Sequence, residues 1–185
     1  NWKANGAGSA NTDGSINSTV SVNQTAGFSI VSWTGSNANA TIGHGLGVVP
    51  KMIIFKNRAT ATSWMVYNAT QGATKFLRLN TTDTVGTGST PFNDTEPTSS
   101  VFSVGANGDT NGSSQAMIAY CFAEKTGYSK FGSYTGNGNA DGTFVYTGFK
   151  PAFVMVKQSS GTGFWTIIDN KRPEFNPASK WLYPN

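Results

Sequence analysis

Two stretches of the chain share one sequence pattern, and this pattern decides the fold. Residues 33–66 read WTGSNANATIGHGLGVVPKMIIFKNRATATSWMV, and residues 134–167 read YTGNGNADGTFVYTGFKPAFVMVKQSSGTGFWTI, which aligns without a gap at an offset of 101 residues. The identities include residues with restricted backbones or large side chains: Gly47 and Gly148, Pro50 and Pro151, Lys56 and Lys157, and Trp64 and Trp165. Self-similarity at a fixed period is the sequence signature of a tandem repeat, so the chain is predicted to contain two copies of one unit.

The similarity continues beyond this block and sets the predicted boundaries of the repeats. KFLRLN at 75–80 resembles KWLYPN at 180–185 after an insertion of four residues. We predict the end of a preceding repeat plus a linker over residues 1–26, a first repeat over 27–126 and an incomplete second repeat over 127–185.

The two ends of the chain fit this division. Trp2-Lys3-Ala4 stands in the same place before the first repeat as Phe122-Ala123-Glu124 does before the second. Residues 5–24 are rich in Gly, Ser, Asn and Thr, which predicts a loop or a flexible connector. The second repeat has no counterparts of residues 101–104 and 115–122. Another chain, another repeat or the N-terminal segment would therefore have to complete its sheet by strand addition.

Short runs of β-branched and aromatic residues alternate with Gly, Asn, Ser and Thr turns, a pattern that predicts strands rather than helices. The predicted strands cover residues 28–33, 51–56, 63–67, 75–79, 101–104 and 115–122. The apolar run at 51–56 predicts a strand buried on both faces, and residues 71–74 could form one helical turn. This spacing predicts an all-β fold of β-sandwich or jelly-roll-like (lectin-like) domains, in tandem repeats of about 100 residues.

Composition and charge exclude several classes of function. Charged residues make up 12 % of the chain, and the net charge is +4 from 13 cations and 9 anions. The cations are scattered, so no nucleic-acid partner is predicted. The apolar runs are much shorter than the roughly 18 residues of a membrane helix, so no membrane partner is predicted either.

The single cysteine, Cys121, is predicted to be a buried thiol without a disulfide.

Few residues have the type and spacing that catalysis or metal binding requires. The single histidine, His44, has no counterpart in the second copy, and we interpret it as structural; a dyad with Cys121 has no motif to support it. Asp94, Glu96 and Asp109 lie in polar turns and are weak candidates for calcium ligands. We therefore predict no catalytic residue, no cofactor beyond a weak option of calcium, and no enzymatic activity.

Aromatic and amide side chains in the loops are the most suggestive candidates for ligand binding, because exposed rings can stack on the apolar faces of sugars. Trp33 and its counterpart Tyr134 lie beside Thr-Gly turns and could be core or contact residues, whereas Trp64 and Trp165 are predicted to be core. The predicted contact residues, chosen for their matched positions in the two copies, are Trp33, Asn37, Asn39, Tyr134, Asn137, Asn139 and Asp141.

Several strings in the chain are similar to a known kind of repeat. GFSIVSWTG, GHGLGVVPKMIIFKNR, MIAYCFAEKTGYSKFGSYTG and DNKRPEFN resemble a tandem-repeat β domain of virion proteins in marine tailed phages, including cyanophages and pelagiphages. The resemblance covers nearly the whole chain. It implies a large structural protein, tail-fibre-like or lectin-like, at the virion surface or otherwise extracellular. It implies no catalytic site and no ligand residue.

Three functional hypotheses follow from these observations. The favoured one is a non-enzymatic virion surface module, of tail-fibre, tail or capsid-decoration type, which contacts host-surface glycans or neighbouring virion subunits. The second is a purely structural spacer or assembly repeat that shares strands between chains, and the protein is expected to form homo-oligomers. The third is a polysaccharide depolymerase, which would need two carboxylates about 5 to 10 Å apart in a cleft.

Overall fold

The computed structural model of the protein describes residues 2–172 and 179–184. These residues form twelve strands and one helical turn, so the all-β prediction is confirmed. The elements are β1 (Ser9–Asn11), β2 (Ser18–Asn23), β3 (Phe28–Thr34), β4 (Ala40–Gly43), β5 (Met52–Asn57), β6 (Met65–Asn68), β7 (Lys75–Arg78), β8 (Gly86–Thr87), β9 (Val101–Val104), α1 (Gly108–Asn111), β10 (Ala116–Phe122), β11 (Phe153–Lys157) and β12 (Trp165–Asp169).

Most of the strands belong to one large antiparallel sheet. Its eight strands have the order β1-β2-β3-β10-β5-β6-β7-β8. β10 lies between β3 and β5 and pairs with both along nearly its whole length, from Met117 opposite Trp33 to Phe122 opposite Phe28 on one side, and from Met117 opposite Asn57 to Phe122 opposite Met52 on the other. β10 comes late in the chain but lies in the middle of the sheet, between two strands that precede it.

The main hydrophobic core lies on one face of this sheet, beneath the two-stranded sheet β4–β9. Alternate residues of β5, Ile53 and Phe55, point into it and are almost fully buried. Phe102 of β9 and Phe92 contact Phe55 from the covering layer, with ring centroids 5.3 and 5.5 Å away.

The second hairpin, β11–β12, packs against the opposite face of the large sheet. The ring of Trp165 is buried in a second cluster with Met52, Val66 and Leu77. Its indole nitrogen donates a hydrogen bond to the carbonyl oxygen of Arg78 at 2.8 Å. The large sheet thus has apolar residues covered on both faces, which gives a sandwich-like arrangement and agrees with the prediction that β5 is buried on both sides.

The prediction of a loop or flexible connector over residues 5–24 is wrong, because this segment contains β1 and β2. Its polar composition conceals an alternation in β2, where Val20 is buried in the main core and Val22 packs against it. β2 pairs with β3 from Thr19 opposite Ser32 to Asn23 opposite Phe28. The segment therefore extends the large sheet instead of linking two domains loosely.

The helical turn also lies elsewhere than predicted. Residues 71–74 form hydrogen-bonded turns, whereas α1 covers Gly108–Asn111, where an ordinary polar turn was predicted. The side chain of Asn107 accepts a hydrogen bond from the backbone nitrogen of Asp109 and so caps this helical turn.

Candidate functional site

Two hairpins of the protein, β5–β6 and β11–β12, have the same strand register. In the first hairpin Met52 lies opposite Asn68, and the pairing runs to Phe55 opposite Met65. In the second, Phe153 lies opposite Asp169, and Val156 lies opposite Thr166. Every pair of the first hairpin thus maps onto a pair of the second at the offset of 101 residues seen in the sequence.

The correspondence extends to the strand beside each hairpin and to a lysine. Leu77 pairs with Val66 in the first case, and Leu182 forms a bridge with Ile167 in the second. The amino group of Lys56 donates to the carbonyl oxygen of Thr62 at 2.5 Å, and that of Lys157 donates to the oxygen of Gly163 at 2.8 Å. These matches support two copies of one local structure.

The two hairpins differ at one edge. β5 is paired along its other edge with β10, whereas no described strand lies beside the corresponding edge of β11. Ala152 and Asn170 form a hydrogen-bonded pair next to the ladder, because the backbone nitrogen of Asn170 donates to the oxygen of Ala152 at 3.1 Å. Hydrogen-bonded pairs occur at every second residue of an antiparallel ladder. The peptide groups of Phe153, Met155 and Lys157 therefore point away from β12. We refer to this row of peptide groups as the open edge.

Core positions of the first unit are exposed in the second. Ile53 is 1 % exposed and its counterpart Val154 is 38 % exposed; Trp33 is 5 % exposed and its counterpart Tyr134 is 53 % exposed. In the first unit the ring of Trp33 contacts Phe102 of β9 at a centroid distance of 5.6 Å. No counterpart of β9 follows β12 among the described residues, so Tyr134 and Val154 have no such layer above them.

The predicted contact residues lie in three different places: Trp33 is in the core, and the other six are in two separate exposed loops. The ring of Trp33 belongs to the core, so it has no face open to a ligand, and its assignment as a contact residue is corrected to core. Asn37 and Asn39 are exposed in the loop between β3 and β4. The backbone nitrogen of Asn37 donates to the oxygen of Asn111 at 2.7 Å. This loop is therefore held against the end of α1.

The other four predicted contact residues, Tyr134, Asn137, Asn139 and Asp141, are all exposed in one loop. The loop is closed by its own hydrogen bonds. The side-chain nitrogen of Asn137 donates to the oxygen of Asp141 at 2.9 Å, and the hydroxyl of Thr143 donates to the oxygen of Thr135 at 2.7 Å. Phe144 and Tyr146 extend the exposed aromatic surface next to this turn. We call residues 134–146 the aromatic loop.

The three weak calcium candidates are not brought together as a cluster. Glu96 accepts hydrogen bonds from the hydroxyl of Tyr67 and from the backbone nitrogen of Ala73, the latter at 2.7 Å. Asp109 accepts from the backbone nitrogen of Ser63 at 3.1 Å, and Asp94 lies in a left-handed turn. Within residues 2–172 and 179–184 there is no group of three or more His, Cys, Asp and Glu side chains that could hold a metal ion.

His44 and Cys121 are both buried. The Nε2 atom of His44 lies 3.1 Å from the carbonyl oxygen of Thr98, and Nδ1 accepts a hydrogen bond from the backbone nitrogen of Leu46 at 3.2 Å. These partners require a neutral ring with the proton on Nε2, and burial lowers the pKa of His44. Since both ring nitrogens bind backbone groups, neither remains for a thiol. Burial raises the pKa of Cys121 to about 12, which leaves its thiol protonated and unreactive.

A family model for a domain of unknown function, DUF7483, matches residues 1–185. The chain belongs to the DUF7483 family. Neither a curated protein nor a solved structure has significant similarity to this member of the family. In the part of the chain that the structure describes, no helix has the length and apolar character needed to cross a membrane.

Sequence reasoning identified some of these features and missed others. The predicted strands at 51–56 and 63–67, together with the alignment of residues 33–66 with 134–167, pointed to the hairpin β11–β12. The burial of Trp33 was left undecided, because its surroundings depend on β9, which lies far away in the sequence. The aromatic loop was predicted only in part: Phe144 and Tyr146 align with Gly43 and Gly45, so the comparison of the two copies gave no signal for them.

The contrast between Trp33 and Tyr134 allows a matched test of burial. We expect Trp33→Ala to lower the free energy of unfolding by about 3–5 kcal/mol, because it leaves a cavity in the core. Tyr134→Ala, at the corresponding exposed position, should change it by less than about 0.5 kcal/mol. Urea denaturation followed by circular dichroism measures both. Equal losses from the two variants would contradict the assignment of Trp33 to the core and Tyr134 to the surface.

The neutral ring of His44 predicts a loss of stability in mild acid. Its folded-state pKa lies below the unfolded value of about 6.5, so the unfolded chain binds a proton first as the pH falls. The stabilisation is complete above pH 6.5 and decreases below it, by at most about 1.4 kcal/mol per pH unit, until the folded-state pKa is reached. Urea denaturation between pH 7 and pH 5 measures this slope.

The control is His44→Val, which introduces the residue found at the corresponding position, Val145. This variant should be less stable at every pH, because it leaves the nitrogen of Leu46 without its acceptor. Its stability should nevertheless be nearly constant between pH 7 and pH 5. A slope equal to that of the unmodified chain would show that another group is responsible.

Proposed function

We propose that this DUF7483 chain is a non-enzymatic structural module of the surface of a tailed phage particle, and that it acts by pairing the open edge of β11 with a neighbouring β unit. The observation that supports this proposal most strongly is the exposure of the second unit's core positions. Val154 is 38 % exposed where Ile53, its counterpart, is 1 % exposed. Apolar surface of this kind is costly in water and is typical of sites that are covered by a partner.

The polar residues of the first unit also favour a structural role. Glu96, Asp109 and His44 bind backbone groups of neighbouring loops. Their hydrogen-bonding capacity is used to fix the loops around the core. This use of polar side chains suits a rigid scaffold, and it supports the hypothesis of assembly over that of a polysaccharide depolymerase.

The location on a virion rests on the resemblance of the sequence to repeats in virion proteins of marine tailed phages. A module at the surface of such a particle would have neighbouring virion subunits as its partners. A homo-oligomer is the simplest assembly in which exposed apolar faces of identical chains become buried.

Self-association is the direct test of the assembly role. In sedimentation velocity experiments we expect the chain to associate as its concentration rises. Val154→Lys should suppress this association, because it places a charge among residues that must be desolvated. Asn139→Lys adds the same charge to an exposed polar turn, serves as the matched control and should still associate. A chain that stays monomeric throughout, or equal behaviour of the two variants, would contradict the proposal.

A second candidate function, the binding of host-surface glycans, is favoured by one observation. The aromatic loop exposes Tyr134, Phe144 and Tyr146 beside the amides of Asn137 and Asn139. Aromatic rings next to hydrogen-bonding amides are suited to sugars, which offer apolar faces and hydroxyl groups.

A glycan array with cell-surface polysaccharides tests this second function. If the loop binds sugars, Tyr134→Ala and Tyr146→Ala should each weaken the signal by at least about tenfold, which corresponds to roughly 1.4 kcal/mol of binding free energy. The exposed Tyr128, outside the loop, supplies the control variant Tyr128→Ala, which should leave the signal unchanged. An array without signal for the unmodified chain would exclude the glycans that it carries.

A further inference from the structure

We propose that the open edge of β11 is a strand-binding site that takes an antiparallel strand with the sequence character of β10, supplied by another repeat of this kind. This inference rests on the proposed assembly function and adds the identity of the incoming strand and its register. The hairpin β5–β6 shows which partner occupies the edge that is open in β11–β12.

The edge of β5 defines the register. In the first unit Phe122 lies opposite Met52, Cys121 opposite Ile53 and Ala119 opposite Phe55. The residues of β11 that correspond to Met52, Ile53 and Phe55 are Phe153, Val154 and Val156. The same register therefore places an incoming phenylalanine opposite Phe153, a cysteine opposite Val154 and an alanine opposite Val156.

The peptide groups of β11 that point away from β12 match those of β5 that bind β10. The backbone nitrogen of Arg58 donates to the oxygen of Ala116 at 2.8 Å. Because hydrogen-bonded pairs alternate, the peptide groups of Met52 and Ile54 also pair with β10. Their counterparts Phe153 and Met155 belong to the open edge, so an antiparallel strand would find its donors and acceptors in the same positions.

The side chains of β10 suit the two faces of β11. Ala119 and Cys121 are small and point into the main core of the first unit. At β11 they would cover Val154 and Val156, whose side chains are partly exposed to solvent. On the other face, Phe122 packs partly against the second cluster, to which Met155 also contributes. Strand addition would thus extend both apolar faces of the second hairpin.

The ring of Phe153, at the start of the open edge, already packs against the N-terminal segment. The ring of Trp2 lies 5.4 Å from that of Phe153 and 5.2 Å from that of Phe122, edge-on to both. A strand that pairs with the open edge would therefore place its residue opposite Phe153 beside Trp2.

Thiol exchange can detect both the binding and its register. Cys121 and Ile53 form a non-hydrogen-bonded pair, the kind whose side chains lie closest across an antiparallel ladder. The probe is a synthetic peptide of residues 113–126, with its cysteine linked to thionitrobenzoate, and the protein carries Val154→Cys. The thiolate of the protein attacks the cysteine sulfur of the peptide; a new disulfide forms, the old one breaks, and coloured thionitrobenzoate leaves with the electron pair. Cys121 of the protein is fully buried and should not react.

The control peptide has the residues Tyr120 and Cys121 exchanged, which keeps its composition but turns the cysteine to the other face. At about 10 μM peptide we expect the native-order peptide to react roughly 100-fold faster than the control, the ratio given by an effective concentration of about 1 mM in the bound state. Ile53→Cys serves as a positive control for the geometry, because its thiol should form a disulfide with Cys121 within the chain under oxidising conditions.

The results separate this inference from the assembly function. Equal rates for the two peptides would overturn the proposed register and the strand-binding site. A disulfide-linked dimer of Val154→Cys that forms equally well with and without the peptide would show that the edge pairs with itself, and would also overturn it. If the chain associates in sedimentation experiments while the peptides react equally, the assembly function stands and the strand-binding inference fails.

Discussion

The pairing of β10 with both β3 and β5 is the interaction on which the rest of the structure depends. Peptide groups in a sheet must find hydrogen-bonding partners on neighbouring strands, and β10 satisfies those of two strands at once. It also brings Met117, Ala119 and Cys121 into the main core. β3 and β5 lie on its two sides and do not pair with each other, so β10, which comes much later in the chain, unites them into one sheet.

Beside β11, no described strand takes the place that β10 has beside β5. Among the described residues after Ser129, the β pairings are the ladder of the hairpin β11–β12 and the bridge between Ile167 and Leu182, and both form without a counterpart of β9 or β10. The segments that correspond to β3 and β4 lie within residues 129–144 and have no assigned strand. Trp165 lies in the second cluster and holds the hairpin β11–β12 against the large sheet. On the other face of the hairpin Val154 is exposed, and no described strand pairs with the open edge of β11. An accessible edge with apolar neighbours is a template for pairing with another strand, and this property links the architecture to an assembly role.

The sequence predicted the elements whose stability is local and missed those decided by distant partners. The strands β5, β6 and β7 and the match of Leu77 with Leu182 were predicted from residue identity alone, because β-branched and aromatic runs beside Gly and Pro define short strands. The connector at residues 5–24 was mispredicted, because its Gly, Ser and Asn content hides the alternation at Val20 and Val22. Trp33 and Tyr134 occupy matched positions, yet one is core and the other is exposed. Local sequence could not distinguish them, since the difference comes from Phe102 and the layer above the sheet.

The most direct measurement is hydrogen exchange at β11 in an extended chain, in which a second copy of residues 81–126 follows residue 185. By the alignment of 75–80 with 180–185, this addition supplies the second unit with its own counterparts of β9 and β10. We predict that the amides of Phe153, Met155 and Lys157 exchange rapidly in the 185-residue chain, and that in the extended chain they become protected to the level of their counterparts in β5. If these amides exchange at the same rate in both chains, the second unit does not take up a β10-type strand, and the account is wrong.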